Sequence, residues 1–207
     1  MPRARIPRIV EILFPGAICR IPVENKKTVY LTFDDGPIPE ATPMVLDILK
    51  QHNVRATFFC VGDNIKKHHG IFERVKKEGH TIGNHTFNHL DGWKKSVKEY
   101  ADNVRTCQEL VNSRLFRPPY GRITLKQYKH LEREYDIIMW DVLSMDYDKD
   151  LTAEECLELV KKHTRPGSII VFHDSIKAKE KIPYLLPKTL EFIASEGYQP
   201  ETITATR

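Results

Sequence analysis

Two adjacent aspartates, Asp34 and Asp35, follow an apolar run in the segment Thr32–Pro37 (TFDDGP). Neighbouring carboxylates repel each other, so they cost stability unless a cation or a function compensates for the repulsion. Gly36 and Pro37 favour a turn that frees both side chains from a preceding strand. Alone, the segment is as consistent with a polar strand-to-helix turn as with a reactive site.

The second group of candidate residues is His85–His89 (HTFNH). Histidines four residues apart meet on one side of a helical turn, a spacing that binds metals. With a nearby carboxylate they form a ligand set that is common at catalytic zinc and leaves room for water and substrate. The same set suits non-haem iron(II), so the ligand types leave the metal and the reaction open. Two separate surface histidines are the alternative interpretation.

Further candidates stand in three later segments. In Phe116–Gly121 (FRPPYG), two prolines and a glycine stiffen a loop that suits the presentation of one N–H at a fixed point. The segment Trp140–Tyr147 (WDVLSMDY) carries two more aspartates. His173 ends a continuous apolar run, and its ordinary pKa near neutrality makes it a candidate proton carrier. The other histidines are interpreted as surface or helix-end residues: His52, His68, His69, His80, His130 and His163.

Hydrophobic periodicity predicts the elements that position these groups. Short apolar runs predict strands over 28–33, 56–61, 80–83, 137–140 and 168–172, with 114–116 as a weaker candidate. Apolar residues three and four apart predict helices around 44–49, 97–111, 152–163 and 183–195. Thr152 and Glu155 form a capping-box pattern, and Gly197 is expected to end the last helix.

Strands that alternate with helices predict an α/β fold with a parallel sheet. The candidate polar residues stand just after several different strands, and the carboxyl ends of all strands converge on one face of an α/β barrel. We therefore expect a distorted parallel barrel of six or seven strands rather than an open sheet. The 207 residues contain no Gly/Ser-rich linker and predict a single domain over 28–207, with an N-terminal extension, 1–27, packed on it.

Composition excludes several classes of partner. The net charge is only +4, and basic residues occur as short pairs rather than as a stripe, so no nucleic-acid partner is expected.

Four widely spaced cysteines without a C-x-x-C pair predict free thiols in a reducing compartment. Arg3, Arg5 and Arg8 precede an apolar stretch, 9–18, that Glu11 and Pro15 interrupt. This makes a poor secretory signal and is too short to span a membrane, which favours a cytoplasmic protein. Nothing in the sequence indicates an oligomeric state.

The segments TFDDGP, HTFNH, RPPYG and FHD together resemble, in kind and order, the motifs of the polysaccharide deacetylases. This is the fourth carbohydrate esterase family, which shares the nodulation-type deacetylase domain. The resemblance runs from about Thr28 to Tyr198, and a chance match of all four segments in order is negligible. The family fold is a distorted parallel α/β barrel, which agrees with the strands predicted independently.

The resemblance implies a metal-dependent hydrolase that removes acetyl groups from N-acetylated, and in some cases O-acetylated, carbohydrate. Asp34 is similar to the general base of the family. Asp35, His85 and His89 correspond to the ligands of one divalent ion. Zinc is favoured, and Co²⁺, Ni²⁺, Mn²⁺ and Fe²⁺ are compatible with the same ligands.

The resemblance also implies the other catalytic roles. Arg117 would pair with Asp34, and the backbone N–H of Tyr120 would complete an oxyanion site. His173 would protonate the leaving amine, oriented by Asp146.

Departures from the family pattern concern substrate preference. Many members have aspartate at the position of Leu143, tryptophan at that of Tyr147 and leucine at that of Phe172. Tyr147 and Phe172 are expected to line the pocket for the acetyl methyl group, and Pro119 is expected to contact substrate.

The sequence leaves the acetylated substrate open among chitooligosaccharide, peptidoglycan fragments, acetylated xylan and a small N-acetyl sugar. Three alternatives to the deacetylase are a catalytically idle carbohydrate-binding member, an amide hydrolase with a non-sugar substrate, and an iron(II) oxygenase. The oxygenase would not explain Asp34 beside the ligand set or the placement of His173.

Overall fold

The computed structural model describes residues 4–24 and 26–205. Strands and helices alternate along most of these residues, as the periodicity predicts. The strands are β1 (Thr28–Asp34), β2 (Thr57–Cys60), β3 (Thr81–Asn84), β4 (Leu115–Phe116), β5 (Asp136–Ile137), β6 (Val142–Leu143), β7 (Ile169–His173) and β8 (Gln199–Glu201). The helices are α1 (Arg8–Leu13), α2 (Thr42–Gln51), α3 (Gly62–Lys67), α4 (His69–Lys77), α5 (Val97–Val111), α6 (Leu125–Leu131), α7 (Ala153–His163) and α8 (Ile182–Ser195).

The strands form one parallel sheet in the order β5-β4-β3-β2-β1-β7-β6, and β8 adds a short pairing to β1. Seven strands therefore follow one another around a curled sheet flanked by helices, which confirms the predicted single-domain, distorted parallel α/β barrel. The long central strand β1 is buried along its whole length, as expected for a parallel strand covered on both faces.

The barrel has a seam between β5 and β6, which are the two ends of the strand order. The N-terminal segment lies at this seam: Ile18 forms a parallel bridge with Ile138, and Arg20 forms an antiparallel bridge with Ser168. The segment thus satisfies backbone groups that an open edge would leave unpaired. The division into an extension, 1–27, and a domain, 28–207, stays a prediction, and Arg3 lies outside the described residues.

The predicted strand over 137–140 is wrong in its extent. The chain there divides into β5, which pairs with β4, and β6, which pairs with β7. The residues between them cross the seam, where Ile138 donates its backbone N–H to Phe116 of β4 and forms a bridge with Ile18 of the N-terminal segment. A continuous apolar run does not reveal such a crossing because both sides of it are buried.

The helices predicted around 44–49, 97–111, 152–163 and 183–195 are confirmed as α2, α5, α7 and α8. Thr152 and Glu155 form the predicted capping box, and Gly197 follows α8 with a positive φ of 72°. The periodicity does not predict α1, α3 and α6 because six or seven residues define no clear apolar stripe. Helix α4 is not predicted either, although its buried residues Phe72 and Val75 lie three apart on one face. Among the described residues, no helix has the length and apolarity needed to cross a membrane.

His80 is a further correction, because it is buried instead of exposed. Its Nδ1 accepts the N–H of Ala56, and burial lowers its pKa to about 4. A neutral ring at this position links the starts of β2 and β3, which is a structural role.

The two faces of β1 and β7 serve different purposes. Phe33 and Phe172 are register partners whose rings stack at 5.6 Å, on the face covered by helices. Asp34 and His173, the next pair in the register, point to the opposite face because side chains alternate along a strand. The register therefore brings these two polar residues together inside the curled sheet.

The prediction that Phe172 lines a substrate pocket is wrong. Its side chain is completely buried in the core between sheet and helices. Because it directly precedes His173 on the strand, it faces away from the interior that His173 reaches.

We expect Phe172→Ala to lower the free energy of unfolding by about 3–5 kcal/mol, the usual effect of removing a buried aromatic ring. Urea denaturation measures the change. Tyr184→Ala, on the exposed side of α8, is the control and should change stability by less than about 0.5 kcal/mol. A small loss of stability for Phe172→Ala combined with an altered KM would instead place the ring at the substrate.

Candidate active site

The candidate base, Asp34, stands at the carboxyl end of β1 and is almost fully buried. Its Oδ1 accepts a hydrogen bond of 2.7 Å from Nη1 of Arg117. The same guanidinium donates to the Thr32 hydroxyl and to the carbonyls of Ile138 and Met139. Arg117 therefore pairs with Asp34 as predicted, and its many partners hold the carboxylate in one orientation.

Three potential metal ligands come together beside this pair. Asp35 Oδ1 lies 3.0 Å from His89 Nε2 and 3.7 Å from His85 Nε2. The donor atoms of all three residues lie within 4.8 Å of one another. Ligand atoms each about 2.0–2.2 Å from one zinc ion fall at such separations, so the residues fit one divalent ion.

Neighbouring groups orient these ligands. His85 Nδ1 lies 2.8 Å from the carbonyl oxygen of Arg117, so donation there leaves Nε2 free for a metal. His89 Nδ1 lies 3.1 Å from the Tyr120 hydroxyl. Asn64 donates to the carbonyl oxygen of Asp35 at 2.8 Å. Such second contacts fix ring orientation and the proton position on each histidine.

The charge states of the ligands also suit a cation. Burial acts to raise the pKa of Asp35, but the hydrogen bond from His89 and nearby imidazoles together hold it well below its ordinary value. Burial lowers the pKa of His85 to about 4. The site therefore offers a carboxylate and a neutral imidazole, the forms that bind metals.

Backbone strain is concentrated at this face of the barrel. Asp35, His89, Tyr120 and Met145 all have positive φ, at 86°, 54°, 59° and 62°. Non-glycine residues rarely adopt this conformation, and they persist in it where surrounding contacts determine the backbone. The strained positions coincide with the loops that carry the candidate ligands and the predicted oxyanion N–H.

His173 is held by Asp146 from behind. Asp146 Oδ2 accepts the backbone N–H of His173, and its Oδ1 lies 2.7 Å from His173 Nδ1. Burial acts to lower the pKa of His173, but the charge and hydrogen bond of Asp146, with Asp35 and Asp34, outweigh it and raise the pKa to about 9. The ring is thus an imidazolium at neutral pH and can donate a proton.

Asp174, the next residue, connects the loop after β1 to the end of β7. Its carboxyl group accepts hydrogen bonds from the Gly36 N–H at 3.0 Å and from the Thr42 hydroxyl at 2.6 Å. Burial raises its pKa to about 8. A side chain at Gly36 would place its Cβ 1.9 Å from Asp174 Oδ2, so the glycine is required for this approach.

A cleft of about 810 Å³ opens over these groups. Seven of the predicted site residues line it: Asp34, Asp35, His85, His89, Tyr120, Tyr147 and His173. Arg117 and Asp146 lie behind Asp34 and His173, so they act through those residues.

Two of the predicted substrate contacts do not reach the cleft. Pro119 is buried, and the cleft wall is formed by Pro118 instead. The place predicted for Phe172 is taken by Val171, which shares the inner face with His173. Strand alternation applied to the run before His173 would have identified Val171.

The cleft wall also contains two polar groups that the sequence analysis did not single out. The indole nitrogen of Trp140 and the hydroxyl of Ser175 are buried and have no hydrogen-bond partner among the described residues. Buried polar groups are normally satisfied, so both are available to a bound ligand or water. Neither carried a sequence signal, since each depends on the cleft wall around it.

The family model for polysaccharide deacetylase matches residues 22–136, more than half of the chain. This chain belongs to the polysaccharide deacetylase family. It is similar to a peptidoglycan-N-acetylglucosamine deacetylase of Bacillus cereus, with 40% identity over 82% of this chain and 67% of that protein. It is also similar to a chitooligosaccharide deacetylase of Azorhizobium caulinodans, with 32% identity over 80% of this chain and 81% of the relative.

Solved structures agree with this membership. A crystal structure of a peptidoglycan N-acetylglucosamine deacetylase in complex with 4-naphthalen-1-yl-N-oxidanyl-benzamide superimposes with a TM-score of 0.82. Its sequence identity is 37%, and the match covers 86% of this chain and 87% of the other. The barrel of this chain is therefore the family barrel.

We expect Asp146→Asn to lower the pKa of His173 from about 9 to its ordinary value of 6.5 or less. The variant removes the principal negative charge that stabilises the imidazolium, whereas burial of the ring remains. NMR titration of the His173 ring in the metal-free protein measures the shift.

The control is Asp150→Asn, which removes the same charge from an exposed side chain nearby and should leave the titration unchanged.

A raised folded-state pKa stabilises the wild type fully below pH 6.5, and this contribution is lost as the pH rises to about 9. An unchanged His173 titration in Asp146→Asn would show that Asp146 does not set the charge of the ring.

Proposed function

We propose that this polysaccharide deacetylase hydrolyses the acetamide group of N-acetylated glycans with the help of one divalent ion. The observation that carries the proposal is the register of β1 and β7, which sets Asp34 beside His173. The ligand group Asp35, His85 and His89 opens into the same cleft. A proton acceptor, a proton donor and a cation site at one place meet the three needs of amide hydrolysis.

An amide is a poor electrophile with a poor leaving group. Its hydrolysis therefore requires a proton acceptor for the attacking water, a cation that polarises the carbonyl and a proton donor for the leaving nitrogen. A divalent ion bound to the three ligands would lower the pKa of bound water toward about 7 and polarise the acetyl carbonyl. Asp34 accepts the proton of the attacking water, while Arg117 keeps its carboxylate oriented. General bases of this kind accelerate the reaction by about 10²–10⁴-fold.

Departure of the amine requires a proton on its nitrogen. His173 supplies it, because its imidazolium is stabilised by Asp146 and its ring faces the cleft. The backbone N–H of Tyr120, held in a strained loop, would stabilise the negative charge that develops on the carbonyl oxygen. With base and acid on different residues, both proton transfers start from one resting state.

The acyl group is expected to lie against an apolar part of the cleft beside His173. Leu143 and Val171 are register partners on β6 and β7, and both line the cleft. The Tyr147 ring meets the His173 ring edge-on at 4.9 Å. These three side chains give the cleft an apolar surface beside His173, which suits a methyl group and supports acetyl as the acyl group.

The proposed substrate is an N-acetylglucosamine unit within a glycan. The Bacillus cereus and Azorhizobium caulinodans relatives act on glycans of this kind according to their names, peptidoglycan and chitooligosaccharide. Zinc is the proposed ion because two imidazoles and one carboxylate are common at catalytic zinc.

We expect the zinc-loaded protein to release acetate from chitooligosaccharides or peptidoglycan fragments, and chelation to abolish the release. Zinc should also raise the melting temperature, since a ligand that binds the folded state stabilises it. Acetate is measured enzymatically across a panel that includes acetylated xylan. Release that persists after the metal has been removed would contradict the proposed metal dependence. No release with zinc demonstrably bound would favour an idle binding protein.

We expect Asp34→Asn to reduce kcat by about 10²–10⁴-fold because it removes the general base. Zinc binding, measured as stoichiometry on the purified variant, should persist because Asp34 is not among the three ligands. Asp63→Asn is a control with the same change of charge on the rim of the cleft. Full turnover by zinc-loaded Asp34→Asn would assign the base to another group.

A further inference from the structure

Trp93 is an exposed aromatic residue in contact with Arg122, which lines the cleft. Its side chain is 64% exposed. Single exposed hydrophobic residues are common and need no explanation by themselves. Trp93 differs from a stray surface residue because its backbone is held firmly and because its contacts lead into the cleft.

Several hydrogen bonds hold the loop that presents Trp93, a 3-10 turn over Gly92–Lys94. Asp91 accepts the backbone N–H of Trp93 at 3.1 Å. The buried Gln127 side chain donates to the carbonyls of Gly92 at 2.8 Å and Lys95 at 3.0 Å. The indole is therefore presented by an ordered backbone, which reduces the entropy lost when a ligand binds to it.

A row of rings and one cation leads from Trp93 to the candidate metal ligands. The guanidinium of Arg122 lies 5.0 Å from the Trp93 ring and 5.5 Å from the Tyr120 ring. Tyr120 in turn meets the His89 ring at 4.6 Å. Arg122 and Tyr120 both line the cleft, so the row is continuous with it.

Arg122 is fixed within this row. Its Nη1 donates to Asp91 at 2.7 Å, which ties the cation to the same loop that carries Trp93. A guanidinium has five N–H donors, so others remain for ligand hydroxyl groups. An aromatic face beside fixed N–H donors and a carboxylate matches the chemistry of a pyranose ring, which has an apolar C–H face and polar hydroxyls at its edge.

We propose that Trp93 and Arg122 form a binding site for a second sugar unit of the glycan, outside the unit that is deacetylated. This inference rests on the proposed function, which places the acetyl group at Asp35, His85 and His89. Arg122 and Tyr120 lie between Trp93 and His89 in this row, so we assign the indole to a neighbouring unit of the same chain rather than to the unit at the ligands.

A second observation favours a sugar over a protein partner at Trp93. The two residues that follow it, Lys94 and Lys95, have side chains that reach solvent, so the indole is not the centre of an apolar patch. Protein interfaces are depleted in lysine at their centres. One isolated ring with polar neighbours is the size of one sugar face.

The test compares Trp93→Ala with the wild type, both zinc-loaded, on N-acetylglucosamine, its disaccharide and longer β-1,4-linked oligomers. We expect KM for the longer oligomers to rise about tenfold, which corresponds to about 1.4 kcal/mol of lost binding. The value of kcat should change less than about twofold, and monosaccharide turnover should not change. Trp93→Phe should recover most of the affinity because it restores an aromatic face.

Tyr184→Ala is the matched control, since this exposed aromatic residue of α8 belongs neither to the cleft wall nor to the row of contacts through Arg122. Equal KM values for wild type and Trp93→Ala on long oligomers would overturn the second sugar site while leaving the proposed function intact. An equal rise in KM on every substrate, including the monosaccharide, would also overturn the second sugar site.

Binding without turnover separates this proposal from the proposed function. Trp93 and Trp140 are the two tryptophans of the sequence, so the part of the fluorescence change that Trp93→Phe removes reports on Trp93. We expect a longer oligomer to change Trp93 fluorescence in the metal-free protein, and the monosaccharide to have no effect. If the oligomer changes the fluorescence of Trp93 but the zinc-loaded protein releases acetate from no glycan, the proposed function is refuted and the sugar site is retained. No fluorescence change with the oligomer would refute the sugar site.

Discussion

The guanidinium of Arg117 is completely buried, and β1, the seam and His85 all depend on the hydrogen bonds of this residue. It binds Asp34 and Thr32 of β1 and the carbonyls of Ile138 and Met139 at the seam. The carbonyl of Arg117 itself lies 2.8 Å from His85 Nδ1. A buried charge is costly unless it is paired and hydrogen-bonded, and here the guanidinium is paired with Asp34 and donates four hydrogen bonds in all. One residue thereby fixes the orientation of both the candidate base and a candidate metal ligand.

The rest of the site is built on the register of the central strands. Asp34 and His173 are partners across β1 and β7, and Leu143 and Val171 are partners across β6 and β7. Because side chains alternate along each strand, a shift of one residue would send both sets into the helix-covered core. Core packing such as the stacking of Phe33 with Phe172 prevents that shift. Packing energy on one face of the sheet therefore maintains the chemistry on the other.

The proposed reaction requires two histidines in opposite charge states, His85 neutral and His173 protonated. At the ligand group, burial keeps His85 neutral by lowering its pKa to about 4. At His173, which is partly buried, the adjacent Asp146 carboxylate raises the pKa to about 9. Two imidazoles within one cleft are thus held in different charge states by their neighbours, as a metal ligand and a proton donor require.

The local sequence by itself determined the alternation of strands and long helices, the capping box of α7 and the family motifs at TFDDGP, HTFNH, RPPYG and FHD. These features depend on residues close together in the chain, so spacing and residue type reveal them. From the motifs followed the ligand group, the Asp34–Arg117 pair and the His173–Asp146 pair, which the structure brings together. Only the tertiary structure decided that Val171 rather than Phe172 faces the cleft and that the N-terminal segment covers the seam. It also decided that Arg122 links Trp93 to Tyr120. These arrangements join residues far apart in sequence, and their free energy comes from packing and pairing that form only when the barrel closes.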